Sequence, residues 1–116
     1  MTRLTAGTGV DAATLTTSFE ALDAAQVRVG SPATRHLQLD ETPGRTVGIW
    51  EHTPGVSTDV EADEVFVVLA GSATLEFEEP ALPPVELAPG VVVRLTEGMR
   101  TIWSVRETLR KVYIAP

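Results

Sequence analysis

At 116 residues, the chain has the length of one domain, enough to bury a core without disulfides or a structural metal; its lack of cysteine excludes a disulfide scaffold, a thiolate metal site and a cysteine nucleophile. A formal net charge of −7 repels nucleic acid and anionic lipid, which are held by Lys and Arg that neutralise phosphates. Residues 1–20 lack the apolar run of a signal peptide, and no apolar stretch of about 18 residues offers a membrane span, so a soluble, cytoplasmic protein is expected, with no nucleic-acid or membrane partner.

Residues 1–13 are rich in Thr, Gly and Ala and read as a loose arm. Over 14–26, Leu15, Phe19 and Leu22 fall on one helical face, with Thr16, Thr17 or Ser18 as caps, which predicts a short helix. Residues 1–26 are thus an N-terminal arm with a short helix, and 27–116 the folded domain. From Val27 onward, turn signals recur about every ten residues, the spacing of an all-β sandwich or barrel: Ser31-Pro32, Pro43-Gly44, Pro54-Gly55, Ala70-Gly71-Ser72, Pro80 to Pro84, Pro89-Gly90 and Gly98. Predicted strands cover 35–39, 45–51, 64–70, 72–78, 85–87, 91–95, 100–105 and 110–114. Over 72–78, Ala73, Leu75 and Phe77 alternate with polar residues, the period of a strand with one wet face. The run Val65 to Leu69 has no polar break and is expected to be buried on both sides. These strands close into a single-domain jelly roll, and no internal repeat suggests a second one.

The order Gly48-Ile49-Trp50-Glu51-His52-Thr53-Pro54-Gly55, Asp63-Glu64 ahead of Gly71, Pro89-Gly90, Gly98 and Thr101-Ile102-Trp103 resembles the cupin superfamily of RmlC-like jelly-roll β-barrels. Trp103-Ser104-Val105 and Arg110-Lys111-Val112-Tyr113 make the chain similar to small single-domain cupins that share a domain with (S)-ureidoglycine aminohydrolase. The resemblance implies two motifs that place three His and one Glu around a divalent metal. Glu64 and Gly71 match the first motif, but its His positions fall on Ser57 and Asp59, or on Thr58 and Val60. In the second motif only Gly90 and Gly98 match; its Pro, His and Asn positions fall on Thr96, Thr101 and Val105. Transition metals need several donors converging at about 2.0–2.2 Å, so no metal cofactor is expected. Were Mn, Fe, Ni or Zn bound, Glu64, His52 and Asp59 would be the ligands.

Two histidines remain, His36 and His52; either could turn inward, and the plainer alternative makes both edge or surface residues. The cluster Asp59, Glu61, Asp63 and Glu64 lacks the spacing of a calcium loop and reads as a solvated acidic turn. The resemblance implies that the Glu and second-motif His positions, here Glu64 and Thr101, point inward; period-2 alternation then sets Phe66 and Val68 on the face of Glu64, and Trp103 and Val105 on that of Thr101. A pocket of this make-up suits a small ligand. Its candidate binding residues are Trp50, His52, Phe66, Arg100, Thr101 and Trp103, although Trp103 serves equally as core. Glu64 is the candidate acid or base. Lys111 and Tyr113 share one face of the last strand: inward, Lys111 pairs with Glu64, meets an anionic substrate or acts as a Schiff-base amine, and Tyr113 donates a hydrogen bond; outward, both are solvated.

The favoured function is a metal-free cupin barrel that holds a small carboxylated or sugar-like metabolite. The alternative is a hydrolase, isomerase or lyase, akin to ureidoglycine aminohydrolase, that uses Glu64 with or without a divalent metal; a third reading is a scaffold alone. A homodimer is expected, because pairing covers the edge strands of an open jelly roll.

Overall fold

A computed structural model of the protein describes residues 2–116. Its strands are β1 (Glu20–Ala21), β2 (Val27–Val29), β3 (Ala33–Thr42), β4 (Arg45–His52), β5 (Gly55–Val60), β6 (Glu64–Glu79), β7 (Leu82–Leu87), β8 (Val92–Leu95) and β9 (Arg100–Ala115). Every pairing is antiparallel. The order β1-β3-β4-β9-β5-β2 is completed by β6, which pairs with β7, β8 and β9. No helix among the described residues is long and apolar enough to cross a membrane.

Two 16-residue strands, β6 and β9, run side by side through the whole molecule. The first half of β9 pairs with β5 and the second half with β4, while β6 begins against β8 and ends against β7. Both strands therefore pass from one curled sheet face to the other, and the register of their pairing shifts around Val68 to Ala73. Bulges of this kind let a strand turn a corner. Gly71, at φ +96, sits at that corner, where an added Cβ would run into the Thr108 carbonyl. The sequence splits each long strand in two at this point; the break is a bend within a continuous strand.

Phe66, Val68, Ala73, Leu75, Leu87, Val93, Leu95, Trp103, Val105 and Leu109 make the core. Burying a side chain such as Phe66 or Leu75 stabilises the fold by roughly 1.5–3 kcal/mol each. The run Val65 to Leu69 is not buried on both sides: Phe66 and Val68 face the core, while Val65 is 38% exposed, because only one face of this strand packs on the core.

No helix forms over 14–26. A 3-10 turn at Ala24–Gln26, capped by Asp23, is the helical part of the arm. Three threonines and Phe19 favour extended backbone, and the barrel supplies the arm's hydrogen-bond partners. Arg110 donates to the Ala12 and Leu15 carbonyls at 2.7 and 2.8 Å, and Arg35 to that of Thr17 at 3.1 Å. Arg35 also lies 4.1 Å over the Phe19 ring. Near its start, the Leu4 amide and Arg3 donate to Asp40.

Candidate functional site

Residues 55–60, left as loop by the sequence, form β5. Its register against β9 sets Ser57 opposite Trp103 and Asp59 opposite Thr101, and alternation turns these side chains inward. One step beyond, Glu61 is fixed by its backbone: its amide donates to the Met99 carbonyl and its carbonyl accepts from the Gly98 amide, both at 2.8 Å. Its side chain continues the inward series. Glu61 is 7% exposed, and its Oε2 accepts from Thr101 Oγ1 at 2.5 Å and Trp103 Nε1 at 3.1 Å. Its other oxygen makes no hydrogen bond yet is not sealed, since among the described residues no buried side-chain oxygen lacks a partner. That oxygen opens on a cavity of about 250 Å³ at the barrel mouth. Burial pushes the Glu61 carboxyl above the usual glutamate range, opposed by the Thr101 hydrogen bond and reinforced by the charge of Asp59. Burial raises Asp59 as well, against a hydrogen bond from the Val60 amide.

The far wall comes from the second half of β9. Lys111 stands between Trp50 on β4 and Val68 on β6, and Tyr113 between Gly48 and Phe66. Both point inward, and the Tyr113 ring fills the space a side chain at Gly48 would need. Lys111 Nζ lies 2.9 Å from Glu64 Oε1, with the two side chains 5% and 14% exposed. The rings of Phe66, Trp50 and Trp103 surround that ammonium. Tyr113 shares a hydrogen bond with His36 Nε2 at the rim, and burial, with the charge of Glu64, raises its phenol above the usual range.

The structure thus brings together Trp50, Glu64, Trp103, Lys111 and Tyr113 around the cavity, with Thr101 buried behind Glu61 and Phe66 beneath Lys111. Two predicted binding residues lie elsewhere. His52 is neither an edge nor a surface histidine but is 1% exposed in the interior, its Nδ1 against the Thr53 carbonyl at 2.6 Å and its Nε2 against Ser57 Oγ at 2.7 Å. Burial lowers its pKa. Though the pair has the geometry of a base and a hydroxyl, both groups are buried and neither lines the cavity, so Ser57 meets no substrate there. Arg100 is exposed and faces a separate cleft with Arg28, Thr58 and Glu78, because it stands one residue before the inward Thr101 at the start of β9 and alternation turns it outward. The acidic turn also needs correction, since Glu61 is buried. Its signal was available in the sequence: the i, i+2 series Ser57, Asp59, Glu61 is a strand face, obscured by the turn residues on both sides.

A divalent metal does not fit these residues. Ser57 is engaged by His52, Thr101 by Glu61 and Glu64 by the Lys111 ammonium, which would itself repel a second cation. Both ring nitrogens of His52 are engaged, by the Thr53 carbonyl and Ser57, so neither is free to join Asp59 and Glu64 on an ion. Among the described residues no group of three or more His, Asp or Glu is arranged to hold a metal.

Comparison with known proteins agrees with this architecture. The Clostridium difficile EutQ protein superposes with a TM-score of 0.61 at 17% identity, over 72% of this chain and 61% of that one. A putative ethanolamine utilization protein q from Salmonella typhimurium gives 0.57 at 17% identity, over 84% and 93%. A protein of unknown function from Pseudomonas syringae pv. tomato gives 0.75 at 21% identity, over 92% of this chain but 46% of that one. At such identities the likeness shows the fold, which by itself carries no function. No curated protein is significantly similar to the chain. The family model described as the EutQ-like cupin domain matches residues 39–113, more than half of the chain, and the protein belongs to that cupin family.

Proposed function

We propose that this cupin holds a small polar metabolite, carboxylated or sugar-like, in the barrel cavity without a bound metal. One observation carries the reading: aromatic walls, a buried carboxyl with one free oxygen and a caged ammonium converge on a single small cavity. Trp50 and Trp103 suit the C–H faces of a sugar or the apolar part of an acid. Glu61 suits a ligand hydroxyl, and Lys111 an acceptor oxygen. Native-state binding raises stability by mass action, by about 2.7 kcal/mol at 100 times Kd. In a melting-temperature screen of small carboxylates and sugars, at least one compound should raise Tm for the natural protein and lose that effect in Trp50→Ala. A screen in which nothing moves Tm sinks the reading.

The free Glu61 oxygen favours a second reading: a hydrolase, isomerase or lyase, of the kind the resemblance to ureidoglycine aminohydrolase suggests, with proton transfer at Glu61. Glu64, engaged by Lys111, then positions rather than transfers. Under this reading Glu61→Gln lowers kcat by about 10²–10⁴, and unchanged turnover would exclude Glu61. The reading includes a homodimer, supported by the open edges of β7 and β8 and their exposed Leu82 and Val92. Sedimentation at one chain mass would contradict it.

A further inference from the structure

The chain has one lysine against eight arginines, and that lysine is 4% exposed. Four side chains converge on its ammonium: the Glu64 carboxylate at 2.9 Å, and the faces of Phe66, Trp50 and Trp103, with ring centroids at 4.3, 4.6 and 4.9 Å. They come from β4, β6 and β9, so the enclosure exists only when those strands are in register. A cation over an aromatic face is attracted by the ring quadrupole, most strongly where water is excluded. The shape is as telling as the charge. An ammonium is a compact point charge with three donors, able to give one to Glu64 while facing three rings, whereas a guanidinium is wide and flat.

We propose that Glu64, Trp50, Phe66 and Trp103 form a box selective for a primary alkylammonium group, and that Lys111 is its permanent occupant, a fixed positive centre and not a nucleophile. In the function proposed above, and resting on it, this centre selects ligands: a carbonyl or carboxylate oxygen is presented to Lys111, while a ligand carrying its own ammonium beside that oxygen is turned away.

The box can be tested without knowing the ligand. On the natural protein, acetylation by an N-hydroxysuccinimide ester should modify Lys111 on the order of 100-fold more slowly than a lysine peptide in the same tube, since the amine must leave Glu64 and the three rings before it can attack a reagent of that bulk. Equal rates overturn the enclosure. Lys111→Ala leaves a space matching n-propylammonium, which at about 0.1 M should raise the variant's Tm by a few degrees more than NaCl or tetrapropylammonium at equal strength, while leaving the natural protein unmoved. No difference between these salts overturns the selectivity. Should Lys111→Ala fail to fold, Lys111→Arg decides: a box shaped for an ammonium predicts a Tm lower by roughly 10 °C despite the retained charge, and a Tm within about 2 °C of the natural protein overturns the proposal. A borohydride-trapped adduct of glyoxylate at Lys111 would overturn its role as a fixed centre. None of these readouts involves the cavity's ligand, so a metabolite screen that finds nothing and a box that fails are separate results.

Discussion

At the scale of single residues, the acidic stretch from Asp59 to Glu64 shows that a carboxylate's role follows from where its oxygens end. Glu64 is paired with Lys111, Asp63 accepts from the Glu97 amide at 2.8 Å, and Glu61 keeps one oxygen toward the cavity. Burial raises the Glu61 pKa above 4.5. The neutral carboxyl therefore contributes stability that is complete below the unfolded value and is lost as pH rises through the folded one. In Glu61→Gln the amide oxygen still accepts from Thr101 and Trp103, and that loss is removed. The Tm of this variant relative to the natural protein should thus climb as pH rises from the unfolded glutamate value through the folded one, and then level off. A difference that stays constant across that range would show Glu61 to be ionised throughout.

At the scale of elements, the two long strands organise the molecule, and the corner they share is its most constrained point. Gly71 and Gly90 both have positive φ, +96 and +95, yet nothing lies within 4 Å of a Cβ at Gly90, whereas one at Gly71 meets the β9 backbone. Gly90→Ala should cost about 1–2 kcal/mol in urea unfolding, the cost of the left-handed backbone alone. Gly71→Ala should cost at least about 2 kcal/mol more, because β9 would have to move. Equal losses would mean that the corner gives way easily. Here the sequence shows a glycine between two β-rich runs, which reads as a turn; whether such a glycine ends a strand or bends it depends on the partner strand, and β9 continues unbroken alongside it, bending at the same corner.

At the scale of the whole molecule, the N-terminal arm is held by a buried ionic cluster. Glu51 accepts from Arg110 at 2.7 Å and from Arg35, and both arginines donate onward to arm carbonyls. Breaking a buried pair by removing one partner costs about 3–5 kcal/mol. Arg110→Met should therefore lower stability by that order and expose the arm, so that limited proteolysis over residues 5–20 accelerates more than tenfold. If the cleavage rate is unchanged, the arm is held by other contacts. Leu15, Phe19 and Leu22 have the spacing of a helical face, but the barrel meets the arm with Arg35 and Arg110, which bind extended-chain carbonyls, and Phe19 remains 39% exposed.

What the sequence determined by itself is what depends on near neighbours along the chain. Proline and glycine punctuation marked the turns, alternation in 72–78 and 100–105 identified strands with one inward face, and the order of those signals was enough for a cupin jelly roll. Inward placement of Thr101 follows from the cupin resemblance, and that of Trp103 from period two added to it. The tertiary structure decided everything that rests on the register between distant strands. Lys111 meets Glu64 across 47 residues, Glu61 meets Thr101 across 40, and Arg110 reaches Ala12 across 98. Whether a carboxylate in a turn is solvated, paired or left with a free oxygen depends on such encounters, and a one-residue change of register would turn each of these side chains to the other face.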